Sequence, residues 1–280
     1  MSSHRGVELK TPEQLRIMRR AGLVVAEAHA AVRDAARPGV STRQLDAVAV
    51  DVLARHGAGS SFLHYGAHFG LMPYPAVTCI SVNNEVVHGI PGDRVLAEGD
   101  LVSVDFGAIV EGWHGDAAVT FGVGTLPPER QELSHVTFGA LWAGIVAARL
   151  GGRLTDISHA IEASVRRHPH RYGIVREYTG HGIGSSMHQD PDVPNYGRAG
   201  RGLKIVPGLC LAIEPMVTTG SAETATLDDE WTVVTRDGSD AAHWEHTITV
   251  TKGGLWVLTS PDGGEEMLGR LGAPFGPLSD

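Results

Sequence analysis

Apolar residues recur at helical spacing in four stretches of this chain, and polar start and stop signals bound each stretch. Thr11 and Gln14 stand at the spacing of a capping box, and the first apolar face follows them directly. A second capping box precedes the next stretch, which stops at Gly57, a residue typical of helix C-termini. The predicted helices cover residues 11–36, 41–56, 127–150 and 155–168.

Shorter apolar runs lie between and after these helices, and several alternate with polar residues as β-strands do. The turn at 111–115 joins two of these runs and predicts a hairpin. Helices and strands in this order predict an α+β fold. The predicted strands cover residues 77–82, 101–106, 117–121, 174–178, 209–213, 231–234 and 247–250.

Motifs of the first half of the chain return in the same order in the second half. His88-Gly89-Ile90 is echoed by His181-Gly182-Ile183, and in both halves an acid-ended strand follows the motif. Such a duplication predicts a single domain with a site at the seam between two similar halves. The predicted organisation is a tail at 1–10, one domain at 11–260 with half-domains at about 11–125 and 126–260, and a frayed, Pro/Gly-rich tail at 261–280.

Composition limits the classes of protein to which the chain can belong. Apolar residues make up 42% and charged residues 20%, as in soluble globular proteins. The net charge of −9 argues against sequence-specific binding of nucleic acid. No long apolar run or signal peptide is present, so no membrane span is expected. With only two cysteines a disulfide framework is not expected, and we predict a cytoplasmic protein.

Four carboxylates stand beside or within hydrophobic strand runs: Asp105, Asp116, Glu214 and Glu245. An acid in such a place is either a solvated strand end or a ligand that faces inward, and a lone acid is usually solvated. Buried carboxylates destabilise a protein unless they are paired or bound to metal. Because four converging acids would repel one another without a cation, the set predicts bound metal.

His181 adds an imidazole in a glycine-lined turn. A lone histidine there is more often structural than a ligand, but the candidate acids and a second histidine, His188, favour a ligand. Carboxylates with one imidazole suit divalent Co, Mn, Fe or Zn, and the set is unlike a thiolate-rich structural zinc site.

At these residues the sequence resembles the type I methionine aminopeptidases, from about Leu9 to Thr259. The resemblance implies the pita-bread fold, in which two pseudo-symmetric halves form a curved antiparallel sheet covered by helices. The shared motifs, in the family's order, are Asn84-Glu85-Val86-Val87-His88-Gly89-Ile90-Pro91, Val104-Asp105-Phe106-Gly107, Gly112-Trp113-His114-Gly115-Asp116, Gly180-His181-Gly182-Ile183-Gly184, Ile213-Glu214-Pro215-Met216 and Trp244-Glu245-His246-Thr247.

The resemblance also implies a role for each matching residue. His88 and His188 are expected to contact the substrate around the scissile peptide. The expected ligands of two divalent metal ions are Asp105, Asp116, His181, Glu214 and Glu245. Of these, Asp116 and Glu245 are expected to bridge the two ions. The positions expected to line the methionine side-chain pocket are Tyr74, Cys79, Met187 and Trp231.

The implied reaction is hydrolysis of the N-terminal methionine from nascent proteins, with a preference for a small second residue. We hypothesise that a metal-bridging hydroxide attacks the first peptide carbonyl, as in other two-metal aminopeptidases. Glu214 would carry the water's proton to the leaving amine, and His188 would stabilise the oxyanion. The expected partners are methionyl peptides and the ribosome, and the chain is expected to be a monomer.

The sequence departs from the family at three places. His88 follows Val87 directly, which puts Asn83 at the family's asparagine position and changes a loop that often binds a monovalent cation. Leu71 stands where a second tyrosine is common, so the pocket rim is expected to differ. Met187 stands where an aromatic residue is common, and a methionine can also fill a pocket and contact a thioether.

Three other functions are compatible with parts of this pattern. Prolidase and aminopeptidase P share the fold but carry a large extra N-terminal domain, whereas this chain begins almost at the shared helix. A non-catalytic binding protein of the same fold would be expected to lose ligands, and here none is lost. A carboxylate-rich glycosidase is disfavoured by the fifteen histidines and by the family match.

Overall fold

The helices predicted from the capping boxes are confirmed in the computed structural model, which describes residues 6–67 and 70–278. Thr11 and Ser41 each accept a hydrogen bond from the backbone of the glutamine three residues later, and each glutamine bonds back to the cap. Gly57 ends the second helix in the left-handed region, at a φ of 58°. The helices are α1 Pro12–Ala35, α2 Thr42–His56, α3 Pro128–Ala147, α4 Leu154–Arg166 and α5 Glu265–Arg270.

The predicted strands are present, but several have different ends. The hairpin strands extend beyond Phe106 and before Ala117, because glycine and alanine there let the ladder continue against α1. The strand predicted at 174–178 is wrong beyond Ile174, since the chain then turns into a cavity wall. The strands are β1 Gly59–Ser60, β2 Thr78–Val82, β3 Glu85–Val87, β4 Leu101–Val110, β5 Trp113–Gly122, β6 Gly173–Ile174, β7 Gly180–Gly182, β8 Gln189–Val193, β9 Cys210–Ile213, β10 Met216–Thr218, β11 Thr224–Thr226, β12 Val233–Thr235, β13 Ala241–His243, β14 His246–Val250 and β15 Leu255–Val257.

The two largest sheets are antiparallel throughout the described residues. In the first half β1, β4 and β2 lie side by side and β5 pairs with β4. In the second half the strand order is β15-β14-β9-β7-β8. The helices α1 and α2 share one hydrophobic core with the first sheet, around Val104 and Phe106. The helices α3 and α4 share another with the second sheet, around Leu141 and Ile213, which confirms the α+β class.

The two halves meet where β5 lies against the start of β14. The N–H of Glu245 donates to the carbonyl of Ala118 at 2.9 Å, and the N–H of Ala118 donates back at 3.3 Å. Helix α1 also approaches the second half closely, because a side chain at Gly22 would clash with the backbone of Leu258. Residues of both halves are therefore held in one register beside the seam.

Residues 6–10 and 261–278, the described parts of the predicted tails, pack against the rest of the chain. Lys10 is buried, and its N–H donates to the carbonyl of Gly208 at 2.8 Å. Leu268 on α5 is fully buried, because this short helix packs its one apolar face on the second core. Residues 1–5 and 279–280 of the predicted tails lie outside the described residues. The single domain at 11–260 and its half-domains at 11–125 and 126–260 remain proposals.

Candidate metal centre and adjoining cavity

The β4–β5 hairpin places Asp105 and Asp116 on the same face of its sheet. Asp116 stands opposite Gly107, two residues along from Asp105, and side chains two residues apart on a strand share a face. The register of the predicted hairpin therefore brings both carboxylates to one side of the sheet. The two carboxyl groups are close enough to share a hydrogen bond.

The second half brings its acids and histidine to the same point. His181 on β7 pairs with Ala212 on β9, and Glu214 follows β9 directly. Glu245 precedes β14, and its backbone pairs with Ala118, which is two residues after Asp116 on β5. The five side chains predicted as ligands thus converge at the seam between the halves.

Four of these side chains and His243 form two overlapping groups of polar atoms that fit a metal ion. In each group the donor atoms lie within 4.8 Å of one another. His181 Nε2 lies 3.4 Å from Glu214 Oε1. One group is Asp116, His181 and Glu245, and the other is Glu214, His243 and Glu245.

Three carboxylate oxygens of this centre are buried and have no hydrogen-bond partner: Oδ1 of Asp105, Oδ1 of Asp116 and Oε1 of Glu245. Buried polar atoms are normally paired, and an unpaired carboxylate oxygen is especially unfavourable. Divalent metal would supply the missing partner, and the donor set present here fits a cation that carboxylates and imidazole prefer.

Burial dominates the electrostatics of the centre. It raises the pKa of Asp105 to about 7, and nearby His243 opposes the shift. Burial also raises the pKa of Asp116 and of Glu245 well above their ordinary values, and the neighbouring carboxyl groups add to both shifts. Burial alone raises the pKa of Glu214 in the same direction. The acids therefore need a positive charge between them to ionise together at neutral pH.

His181 is held in the tautomer that a ligand needs. Its Nδ1 lies 2.9 Å from the carbonyl of Gly182, a pure acceptor, so Nδ1 carries the proton. The lone pair is then on Nε2, the atom that faces Glu214. Burial lowers the pKa of His181 to about 3, so the ring is neutral at physiological pH.

His243 belongs to the centre, although the sequence motifs did not assign it there. It is buried at the end of β13, and its Nε2 lies 3.5 Å from Glu214 Oε2. This Nε2 is also without a hydrogen-bond partner. The available signal was its position two residues before Glu245, which in an extended chain puts both side chains on one face.

A cavity of about 200 Å³ opens beside the carboxylates. Its apolar end is a cluster of Phe62, Tyr74, Ala76, Cys79 and Met187, with Trp231 packed against it. All four predicted pocket residues are therefore together, and Tyr74 and Trp231 stack edge to face at 5.3 Å. The residues that line the cavity are Phe62, Tyr65, Tyr74, Cys79, His88, Asp105, Asp116, Tyr178, Thr179, His181, Met187, His188, Glu214, Trp231 and Glu245.

The two predicted substrate histidines stand in the cavity wall. His88 has a φ of 60° and contacts the rings of Tyr178 and Trp231 at 5.3 and 6.1 Å. His188 lies edge to face with His181, with ring centres 4.3 Å apart. Its Nδ1 is 2.6 Å from the hydroxyl of Tyr65.

Sequence reasoning did not assign four lining residues: Phe62, Tyr65, Tyr178 and Thr179. The first two lie in a loop rich in Gly, Pro, His and Tyr, where no periodic pattern identifies the inward positions. Leu71, where a tyrosine was the common residue, is 56% exposed and does not line the cavity. Residues 68 and 69 of this rim lie outside the described part of the chain.

Asn83, the candidate for a monovalent-cation loop, uses its groups within the protein. Its carbonyl accepts from the N–H of Ala241 at 2.8 Å. Its side chain bonds to Asp100 and to the N–H of Leu101. The cation site remains a prediction.

The sequence of this chain is similar to those of known metallopeptidases. The sequence model of metallopeptidase family M24 matches residues 16–252. Methionine aminopeptidase 1 of Mycobacterium tuberculosis is 50% identical over 264 residues, which is 92% of this chain and 97% of the relative. Methionine aminopeptidase 1 of Bacillus subtilis is 46% identical, over 89% of this chain and 98% of the relative.

The fold is also similar to those of solved metallopeptidase structures. A methionine aminopeptidase from Rickettsia prowazekii superposes with a TM-score of 0.86 at 37% identity, covering 91% of this chain and 100% of that one. A prolidase from Pyrococcus furiosus superposes at 0.70 with 20% identity, covering 90% of this chain and 65% of that one. At that identity the second likeness shows the fold alone.

Proposed function

Because this chain belongs to metallopeptidase family M24, we propose that the carboxylate–histidine centre beside the cavity is its hydrolytic site. The chain has the pita-bread fold of its structural relatives. It is a metal-dependent methionine aminopeptidase that removes N-terminal methionine, as its relatives at 46–50% identity are. The predictions of family, fold, reaction and divalent-metal cofactor are confirmed.

One observation carries the assignment of the site. Asp116, His181 and Glu245 bring ligand atoms within 4.8 Å of one another, and Asp105, Asp116 and Glu245 each keep a buried oxygen without a partner. Asp105, Asp116, His181, Glu214 and Glu245 would hold the divalent metal in this proposal. Divalent metal bound there supplies polarisation of the peptide carbonyl and a water of lowered pKa.

The residues around the centre have separate roles in the proposed reaction. Glu214 is partly accessible at the cavity and is our candidate to move the water's proton to the leaving amine. His188 stands beside His181 in the cavity wall, where it can donate to the developing oxyanion. His88, which also lines the cavity, can hold the peptide backbone.

The cavity fits an exopeptidase that takes methionine. The substrate's methionine side chain enters the apolar end between Tyr74, Cys79, Met187 and Trp231. Its α-amine then lies near the acids, so an internal peptide bond cannot reach the same position. We further propose a preference for a small second residue, which rests on the likeness to the relatives.

The setting of the reaction is also a proposal. None of the helices in residues 6–67 and 70–278 combines the length and apolar character that crossing a bilayer requires. We propose action in the cytoplasm, on nascent chains at the ribosome, by a monomer. The support is the substrate itself, since methionine stands at the start of chains under synthesis.

The test is Asp116→Asn, which keeps the size of the side chain and removes its charge. Cleavage of Met-Ala-Ser by metal-loaded protein should fall by at least about 100-fold, since even outer-sphere changes at metal sites cost 10–100-fold. The matched control is Asp51→Asn on the exposed face of α2. Undiminished cleavage by Asp116→Asn would remove the proposed site, and preferential cleavage of an Xaa-Pro peptide by the wild type would favour a proline-specific peptidase.

A further inference from the structure

We propose that Tyr65 is a positioning residue that orients the His188 ring through Nδ1 and so presents Nε2–H to the substrate. The inference rests on the proposed function, because it assigns a task to His188 in that reaction. It adds a residue that neither the sequence pattern nor the family motifs single out.

Tyr65 bridges the two halves of the molecule across the cavity. It precedes β2 in the first half, whereas His188 precedes β8 in the second. The Tyr65 hydroxyl lies 2.6 Å from His188 Nδ1, and the two rings meet edge to face at 5.2 Å. Both side chains line the cavity that holds the carboxylates.

The backbone of Tyr65 is itself fixed, so the hydroxyl has a defined place. Its N–H donates to the carbonyl of Phe62 at 2.8 Å, and its own carbonyl accepts from the N–H of Tyr74 at 2.9 Å. Its ring also contacts the ring of Trp231, with centres 6.5 Å apart. A residue held at three points can impose an orientation on the flexible ring that it contacts.

The direction of the hydrogen bond follows from the chemistry of the two groups. A phenol is a good donor, and the neutral imidazole accepts at whichever nitrogen lacks the proton. Partial burial, followed by the charge of Asp116, raises the pKa of Tyr65, so the phenol keeps its proton. In the proposed arrangement Tyr65 donates to Nδ1, and the ring proton of His188 sits on Nε2.

This arrangement determines what His188 can do. A ring with Nε2–H is a donor toward a carbonyl oxygen, which is the role required at a developing oxyanion. The reversed ring would present a lone pair to that oxygen and repel it. Tyr65 thus acts on the reaction through His188, and the contribution is realised mainly after the substrate has bound.

The kinetic test is Tyr65→Phe in metal-loaded protein with Met-Ala-Ser as substrate. We expect kcat to fall about 10–100-fold, as for other partners that orient a functional histidine, while KM changes less than about threefold. The matched control is Tyr196→Phe, in which the ring stacked on Arg176 loses the same hydroxyl away from the cavity. An unchanged kcat, or a rise in KM alone, would overturn the proposal.

A double-mutant cycle separates action through His188 from an independent role. In a His188→Ala background, Tyr65→Phe should cause no further loss of kcat. An additional loss equal to that in the wild type would overturn the proposal, because Tyr65 would then act by itself.

A spectroscopic readout does not depend on turnover. In zinc-loaded, 15N-histidine-labelled protein, we expect the His188 signals to report a proton on Nε2 and an unprotonated Nδ1. Protonated Nδ1 would overturn the proposal. If the wild type failed to cleave methionyl peptides, the proposed function would fail, whereas this spectrum would still decide the orientation of the ring.

Discussion

The hydroxyl of Thr247 holds the backbone of Asp116 at both of its polar groups. It donates to the Asp116 carbonyl at 2.7 Å and accepts from the Asp116 N–H at 3.1 Å. Thr247 lies on β14 and Asp116 on β5, so one buried hydroxyl group connects an acid of the first half to the strand that begins beside Glu245.

Replacement of this threonine by the isosteric valine tests the connection. Thr247→Val should lower the free energy of unfolding of the metal-free protein by about 1–3 kcal/mol, because two buried backbone groups lose a partner. Metal affinity should fall about tenfold as Asp116 loses its orientation. Urea unfolding and calorimetric metal titration measure the two effects. Thr247→Ser, which keeps the hydroxyl, is the control, and equal affinities for the two variants would contradict the prediction.

Metal affinity should depend on pH in a direction that the buried acids fix. Because burial raises the pKa of Asp105 to about 7, metal-free protein holds a proton that the ion must displace. Affinity should therefore fall as pH drops below 7, by up to about tenfold per pH unit for each proton displaced. Calorimetry in two buffers of different ionisation enthalpy measures the released protons. A pH-independent affinity between pH 6 and 8 would show that the site is ionised without metal.

After a chelator removes the metal, the free energy of unfolding should depend on pH through Asp105. The folded-state pKa of Asp105 lies above its unfolded value of roughly 4, so the folded protein binds more protons between these values. The contribution of this group to stability is present below about pH 4 and is lost as pH rises through 7. Bound metal should abolish that part of the pH dependence, because it replaces the proton.

Specificity should respond to Met187, which is buried in the wall of the apolar pocket. Met187→Ala should lower kcat/KM for Met-Ala-Ser about 10–200-fold, the range that one missing methylene group already produces in a hydrophobic pocket. A bulkier first residue, as in Phe-Ala-Ser, should gain relative to methionine. Met72→Ala is the matched control, because that side chain is 52% exposed. Equal losses in the two variants would place the pocket elsewhere.

Glu8 should stabilise the loop that carries Met187 and His188. It accepts from the N–H and the hydroxyl of Ser185 at 3.0 and 2.7 Å, and from Gln189 Nε2 at 3.0 Å. Although burial raises the pKa of Glu8, these hydrogen bonds lower it to about 2, so the group is charged at neutral pH.

We therefore expect Glu8→Ala to destabilise the protein by about 1 kcal/mol, since the group is partly exposed and its charge is screened. Hydrogen exchange at residues 184–189 should become faster, and KM for Met-Ala-Ser should rise a few-fold. Asp192→Asn, an exposed acid on the adjoining strand, is the control. Unchanged exchange in Glu8→Ala would show that the loop holds its own conformation.

Local signals explain which parts of the fold could be predicted. The caps at Thr11 and Ser41 and the stop at Gly57 are decided by neighbouring residues, and the helix ends followed them within a residue or two. The packing of residues 261–278 depends on contacts distant in sequence, such as Leu268 in the core of α3 and α4. The Pro- and Gly-rich composition of this segment does not predict such contacts.

The site residues also fall into those that local sequence signals predict and those that depend on contacts distant in sequence. The acids proposed as metal ligands stand beside or within hydrophobic strands and form part of motifs, so residue type and spacing predicted them. Tyr65 and His243 were missed as site residues because their roles depend on partners at His188 and Glu214, far away in the chain. The direction of a side chain in an irregular loop is set by the assembled cavity, and no periodicity in the sequence encodes it.

The strand β15 lies at the outer edge of its sheet, and the chain near its end covers that edge. Leu255 exchanges backbone hydrogen bonds with residues 274 and 276, both at 2.9 Å. Unpaired strand edges invite other chains to add to the sheet. A version of the enzyme cut after residue 260 would keep every catalytic group but offer an open edge, and self-association would then limit its useful concentration.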